Sequence, residues 1–274
     1  MKICIIGSGV VGKATGDTFI KNNEVTFNDN SHNVLKQLHY HGFTVGDNTP
    51  LVVAESDVVF ICVNTPTYDD GEQDLSQVLS VIPDIIRGII TSKTFMKTII
   101  LRSTVIPNEV PKILQGMKDA LGKDKKYQRD WDFFYNPEFL VAENAFETMS
   151  NPDRVVVGSE LYSNWHHVDK LYANFDCPII KTGLKEAGMI KYGANCFLAT
   201  KISFFNELGR ISKSLQLNVT DVENGIALDK RIGSYGTKSG KPFAGKCFPK
   251  DIKTFCKNYN HSITKKTMEV NDDV

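Results

Sequence analysis

The stretch Phe243-Ala-Gly-Lys-Cys-Phe-Pro-Lys-Asp251 sets one cysteine, Cys247, between two lysines, Lys246 and Lys250, with a carboxylate at Asp251 and Gly245 just upstream. A thiol attacks as its thiolate, and flanking cations favour that form, so the pattern suits a covalent nucleophile. The same nine residues also describe a loop cysteine beside solvated lysines, because free cysteines are more often packing residues than reagents. What surrounds the stretch must decide between the two.

A second chemical pattern stands at the amino terminus. Lys2 to Ile6 reads as a buried strand that runs into Gly7-Ser-Gly9-Val-Val-Gly12, then a helical pattern to about Asn22, then a second strand, Glu24 to Asn28, ending at Asp29. Strand, glycine turn, helix, strand and acidic residue in that order form the dinucleotide fingerprint of a Rossmann-type domain. Gly7 permits the turn, Gly9 lets the backbone approach a pyrophosphate, and Gly12 lets helix and strand pack closely. The helix N-terminus, with Val10 and Val11, faces the phosphates. Asp29 would accept hydrogen bonds from a ribose diol and repel a 2'-phosphate, so the expected cofactor is NAD rather than NADP.

The elements that must position these groups follow an α/β rhythm. Apolar runs Ser56 to Asn64, Thr98 to Arg102 and Trp131 to Tyr135 read as strands. They end in Thr65-Pro66-Thr67, Ser103-Thr104 and Asn136-Pro137-Glu138. Polar residues thus recur at carboxyl ends of strands, where open parallel sheets bind ligands. A helix is expected over Asp74 to Ile90 with Asp74 as its N-cap, and short strands over Val155 to Gly158 and Cys177 to Lys181. From Leu184 to Leu217 the alternation gives way to one long helical pattern, on which Lys191 and Asn195, four apart, share a face. A Gly-, Ser- and Lys-rich loop from Gly233 to Gly245 then delivers the cysteine stretch.

Composition narrows the class. The 274 residues carry 32 Lys plus Arg and 32 Asp plus Glu, so no global charge invites nucleic acid or an anionic membrane. Six cysteines are scattered without metal-ligand or disulfide spacing. No apolar run reaches membrane-spanning length, and a reducing cytoplasm is the expected setting. The expected architecture is α/β: a doubly wound parallel sheet over residues 1–182, an all-helical central region over 183–262 with the cysteine loop, and the start of a further helix over 263–274.

In order and spacing, these residues resemble the UDP-glucose and GDP-mannose dehydrogenase family. The match takes in the glycine fingerprint with Asp29, Val63-Asn-Thr65-Pro-Thr67, Arg102-Ser-Thr104, Asn136-Pro-Glu138-Phe-Leu140, Pro152-Asp-Arg-Val-Val-Val-Gly158, Lys191 with Asn195, Asn206-Glu207, Asp229-Lys-Arg231-Ile-Gly233 and Gly245-Lys-Cys247-Phe-Pro-Lys-Asp251. The resemblance leans to the UDP-glucose 6-dehydrogenase branch. It implies an NAD-dependent, four-electron oxidation at C6 of a nucleotide sugar, giving UDP-glucuronate from UDP-glucose through a cysteine thiohemiacetal and thioester.

At the matching positions, the resemblance makes Cys247 the nucleophile. Lys191 and Asn195 stabilise the oxyanion at C6, Glu138 is the base for thioester hydrolysis, and Asp251 and Thr104 position the water or the C6 hydroxyl. It puts Gly7, Gly9, Val10, Val11, Gly12, Asp29, Thr65, Pro66, Ser103 and Thr104 at the cofactor. It puts Glu138, Phe139, Leu140, Lys191, Asn195, Arg231, Phe243 and Gly245 at the substrate. The loop from Lys238 to Ala244 surrounds the sugar and nucleotide, and Arg231 reaches a substrate in the neighbouring subunit of a homodimer. Products of this kind commonly feed surface polysaccharides in the family.

Three departures stand out. Position 142 is alanine where the family places a glutamate, with Glu143 one residue later. Ala244 and Lys246 replace smaller residues beside the thiol, Lys246 adding charge there. The family continues with a long connecting helix and a second Rossmann-like domain, of which only Met268 to Asn271 is expected here. Two rivals remain open: a non-catalytic NAD-binding remnant, and a two-electron hydroxyacid dehydrogenase that needs no cysteine. Within the resemblance, GDP-mannose or another UDP-hexose remains the alternative substrate.

Overall fold

A computed structural model describes residues 1–92, 96–122, 131–245 and 247–274. The chain forms two compact units, Met1–Thr65 with Leu75–Lys191, and Pro66–Asp74 with Tyr192–Val274.

The first unit is built on an eight-stranded sheet. Its strands are β1 (Lys2–Ile6), β2 (Glu24–Asn28), β3 (Thr44–Val45), β4 (Val58–Ile61), β5 (Lys97–Leu101), β6 (Trp131–Tyr135), β7 (Val155–Ser159) and β8 (Ile179–Gly183). Their order is β3-β2-β1-β4-β5-β6-β7-β8. Successive side chains alternate between two cores: Cys4 and Ile6 of β1 face one, Ile3 and Ile5 the other. Burial on both faces explains why these strands read as nearly unbroken apolar runs.

Helices α1 (Val10–Phe19), α2 (His32–Tyr40) and α7 (His166–Tyr172) supply Phe19, Leu38 and Leu171 to one core. Helices α3 (Thr49–Glu55), α4 (Ser76–Thr91) and α5 (Val110–Leu121) supply Val53, Ile85 and Leu114 to the other. The sheet is therefore doubly wound. It is not wholly parallel, because β6 and β7 run antiparallel. Between them the chain makes only a 3-10 turn (Ala142–Asn144) and the short helix α6 (Ala145–Ser150), which packs on α1. Without a full crossover the chain does not return to the end where β6 began, so β7 starts from the end where β6 stops. Helix α4 begins at Ser76 with Leu75 at its N-cap, so Asp74 does not cap it as the sequence suggested.

The second unit is helical. It comprises α8 (Leu184–Ser214) from Tyr192 onward, α9 (Val219–Ala227), α10 (Phe248–Tyr259) and α11 (Ser262–Asp272). Asn218 caps α9 by accepting from the Thr220 and Asp221 amides. The Tyr192 and Phe255 rings stack at 6.1 Å between α8 and α10. Segment Pro66–Asp74 joins this unit through a Thr67–Gln73 bridge, a Thr67–Thr254 hydroxyl contact of 2.9 Å and a Lys257–Asp70 ion pair of 3.0 Å.

Candidate active site

In the first unit, the turn after β1 has the shape a dinucleotide needs. Gly7 sits at φ +88°, and a Cβ there would lie 2.8 Å from the Cys62 carbonyl carbon; a Cβ on Gly12 would lie 1.9 Å from the Gly7 oxygen. Only glycine fits either place. Gly9 is the N-cap of α1, has open space where its Cβ would stand, and offers no side chain to cap the helix. The first-turn N–H groups of α1 are thus left for an anion. Val10 is exposed and Val11 half-buried beside them.

Asp29, at the end of β2, accepts from the Ser8 amide at 2.7 Å and from the Ser31 amide at 2.8 Å. That holds its carboxylate in one orientation beside the glycine turn. Each oxygen keeps further acceptor capacity for a diol. These residues fit NAD: a pyrophosphate on the α1 N-terminus and a ribose on Asp29.

Thr65 is buried and donates to the Thr104 carbonyl at 2.8 Å, while Ser103 donates to the Val63 carbonyl at 2.6 Å. The ends of β4 and β5 are thereby tied together. Tyr135 closes the same corner, its hydroxyl bonded to both the amide and the carbonyl of Val105. Pro66, next in the chain, is exposed and belongs to the other unit.

Glu138 and Lys191 form a buried ion pair at 3.2 Å, their side chains 5% and 4% exposed. The other Glu138 oxygen accepts from the Leu140 amide at 2.7 Å, and the Lys191 ammonium lies 5.4 Å from the Phe139 ring centre. Arg154 stacks over the same ring at 4.1 Å. Removing one member of such a pair typically costs about 3–5 kcal/mol, because it strands the other charge. Glu143 lies exposed in the 3-10 turn that opens at position 142.

In the second unit, Cys247 is the N-cap of α10, where the loop passes into the helix, and is half-buried. Pro249 stands in the first turn, where its missing N–H costs nothing. The aligned peptide dipoles of the helix favour an anion at its N-terminus. The Asp251 amide donates to the Cys247 carbonyl at 2.9 Å. The Asp251 carboxylate is 1% exposed and holds Lys250 at 2.6 Å and the Asn195 amide at 2.7 Å. Lys246 lies outside the described residues.

The other expected substrate residues, Arg231, Phe243 and Gly245, lie in the second unit. Arg231 is exposed and forked onto Asp229 of its own chain, at 2.6 and 3.1 Å. Phe243 is buried, its ring edge-on to Phe248 and its amide donating to Asn271 at 2.6 Å. Gly245 is exposed at φ +86°.

Sequence reasoning named Asn206 within a motif and did not single out Glu223, and it gave neither the role of fastening the glycine-rich loop. Asn206 is buried, accepts from the Gly240 amide at 2.8 Å and donates to the Lys241 carbonyl at 2.9 Å. Glu223 accepts from the Ser239 amide and hydroxyl at 2.8 and 2.6 Å. Burial alone would raise the Glu223 carboxyl, but the Ser239 donors and Lys238 outweigh it and hold it below the usual range. An isolated Glu on a short helix carries no pattern that announces such a role.

Arg102, named in the sequence only as part of the Arg102-Ser-Thr104 motif and given no role there, is a further such group. It is 4% exposed, and its Nη1 reaches both oxygens of Asn136 and the Tyr172 hydroxyl. Nε has no partner among the described residues, which costs about 1–3 kcal/mol for a buried donor. Burial pushes the neighbouring Cys62 thiol up to about 12, with Arg102 opposing the rise.

Among the described residues, no helix is long and apolar enough to cross a membrane, and no group of three or more His, Cys, Asp or Glu could hold a metal.

Residues 34–176 match the NAD binding domain of the UDP-glucose/GDP-mannose dehydrogenase family, and residues 185–273 match its central domain. UDP-glucose 6-dehydrogenase TuaD of Bacillus subtilis is 33% identical over 271 residues, covering 91% of this chain but 57% of its own. A UDP-glucose dehydrogenase structure from Pyrobaculum islandicum superposes with a TM-score of 0.89 at 28% identity, covering 99% of this chain and 68% of its own. A GDP-mannose dehydrogenase ternary complex from Pseudomonas aeruginosa gives 0.77 at 28% identity, covering 100% and 69%. The chain thus spans little more than half the length of the Bacillus relative. With its dinucleotide turn, its Glu138–Lys191 pair and a cysteine capping α10, the chain belongs to the UDP-glucose/GDP-mannose dehydrogenase family.

Proposed function

We propose that this chain carries the catalytic machinery of a UDP-glucose 6-dehydrogenase, oxidising the C6 hydroxyl of UDP-glucose to the carboxylate of UDP-glucuronate. The observation that carries the reading is Cys247 at the N-cap of α10, with Asp251 one turn on bonded to the Asn195 amide. NAD, held on the α1 N-terminus and Asp29, accepts a hydride at each of the two oxidations when bound.

The Cys247 thiolate adds to the C6 aldehyde, forming the S–C6 bond of a thiohemiacetal. Its oxygen carries developing negative charge that the Lys191 ammonium and the Asn195 amide stabilise. Loss of the second hydride turns this adduct into a thioester on Cys247. Glu138 then takes a proton from water as it attacks C6, and the S–C6 bond breaks to return the thiol. Thr104 and Asp251 position the hydroxyl or the water. Both carboxylates of this scheme, Glu138 as base and Asp251 as positioning group, are buried.

UDP-glucose is favoured over GDP-mannose by the resemblance of Val63-Asn-Thr65-Pro-Thr67 and Cys247-Phe-Pro-Lys-Asp251 to the UDP-glucose branch. In this reading the protein works in the cytoplasm as a homodimer. The second copy covers the exposed side of α8 that carries Phe197, Phe204 and Ile211. The domains are assigned as 1–182 for NAD, 183–262 for catalysis and 263–274 for a connecting helix.

The test is NADH formed per sugar consumed by this chain, with UDP-glucose and separately with GDP-mannose at saturating NAD. Two NADH per UDP-glucose is the expected result. Two per GDP-mannose only would move the substrate. One NADH per sugar would remove the thioester.

A further inference from the structure

Arg102 follows β5 directly and donates its backbone amide to the Ile61 carbonyl at 2.8 Å, so its position is set by the sheet. Its guanidinium makes contacts in two directions. Nη1 donates to the backbone and side-chain oxygens of Asn136 and lies 3.3 Å from the Tyr172 hydroxyl, which itself donates to Asn136. Nη2 donates to the Met149 sulfur in α6. Asn136 is the first residue after β6 and Met149 lies near the end of α6. One side chain therefore grips both ends of the segment that carries Glu138.

The near end is held at every polar atom of Asn136. Its amide donates to Leu101 at 2.9 Å, its side-chain nitrogen to Val156 at 2.7 Å, and both its oxygens take Arg102. Within the segment, the Leu140 amide donates to the Glu138 carboxylate at 2.7 Å. No carboxylate pairs with Arg102 among the described residues. A buried cation satisfied only by amides, a phenol, a thioether and the Phe60 ring at 5.9 Å is an expensive way to fill space. A lysine could not replace it, because a single ammonium lacks the planar fork that reaches Asn136 and Met149 at once.

We propose that Arg102 is a positioning residue for Glu138, holding its carboxylate in the orientation needed to activate the water that hydrolyses the thioester. The inference rests on the reading of Glu138 as that base.

The test compares Arg102→Lys, Arg102→Met and Tyr172→Phe with the unaltered full chain, by three readouts. Hydrogen exchange at the Leu140 amide reports whether Glu138 still holds it. Rapid-mixing measurement of NADH with UDP-glucose separates the first turnover from later ones. Intact mass shows any uronyl thioester left on Cys247.

The expected result is Leu140 exchange at least about 10-fold faster in the arginine variants. It is accompanied by a first turnover releasing two NADH, a steady state slowed about 100-fold, as misplacement of a reacting group by an ångström costs, and thioester accumulating on Cys247. Equal slowing of burst and steady state without the adduct would mark Arg102 as structural and overturn the proposal. If the unaltered chain forms no NADH, the dehydrogenase reading falls, and the positioning claim is judged on Leu140 exchange alone, where unchanged protection overturns it. Should both arginine variants fail to fold, Tyr172→Phe, which removes only one hydroxyl from the network, carries the same comparison.

Discussion

Cys247→Ser leaves a competent N-cap on α10, since hydroxyls cap helices well, and it keeps the Asp251 amide on the residue 247 carbonyl. The variant should fold as the parent does. An alkoxide is far harder to form than a thiolate, and the oxygen ester is a poorer partner for the second oxidation. Steady-state NADH production is therefore expected to fall by roughly 1000-fold or more, while NAD binding followed by fluorescence stays unchanged. A variant retaining most of its rate would leave a two-electron dehydrogenase of the hydroxyacid type as the better description. At this scale the sequence was informative where a residue type is chemically rare. Cys247 between charged residues and Asp29 at its strand end could be picked out. The roles of Arg102, Asn206 and Glu223 could not be read, because they come from partners 34, 34 and 16 residues away.

Elements were legible where burial imposes a pattern. β1 and β6 fall where the apolar runs place them, and the long helix begins at Leu184 as its periodicity requires. Reading failed where polar residues do unexpected work. The strand expected at Thr98 starts one residue earlier, at Lys97. Lys97 is 1% exposed, its ammonium donating to the Ala54 carbonyl at 3.0 Å and to the Ser56 carbonyl at the end of α3, where a cation suits the helix C-terminus.

Desolvation pushes Lys97 down to about 8 from an ordinary 10.5, against the pull of Asp57. The sign of the linkage is fixed: between these two values the unfolded chain binds more protons, so this residue adds stability as pH rises from about 8 to 10.5. The buried thiols work the other way. Cys62 and Cys196, both raised to about 12 from 9.0 by burial, withdraw stability as pH climbs through that range. Urea unfolding of the parent and of Lys97→Met over pH 7 to 10 should show the parent gaining relative to the variant by up to one proton of slope. A pH-independent difference would mean that the ammonium is not desolvated as drawn.

At the scale of the whole molecule, α8 poses a problem that the isolated chain does not solve. Phe197, Phe204 and Ile211 are 68%, 60% and 53% exposed, and they recur at seven-residue intervals, which puts them on one side of the helix. Leu215, just past its end, is exposed as well. Scattered apolar residues on a surface need no explanation, but two phenylalanines and an isoleucine in register on a 31-residue helix do. A second copy of this chain is the occupant proposed above, and a two-fold arrangement would let the same stripe cover itself. Phe197→Glu combined with Phe204→Glu would place two charges on that stripe and leave Tyr192, Ala199 and Phe205 on the buried side of α8, where Phe205 loses only the edge contact of its ring with Phe204. The double variant is expected to keep its circular dichroism spectrum and its NAD binding, and to sediment at half the mass of the parent at micromolar concentration. A parent that is already monomeric under those conditions would remove the homodimer from the functional reading and leave the stripe to a partner of another kind.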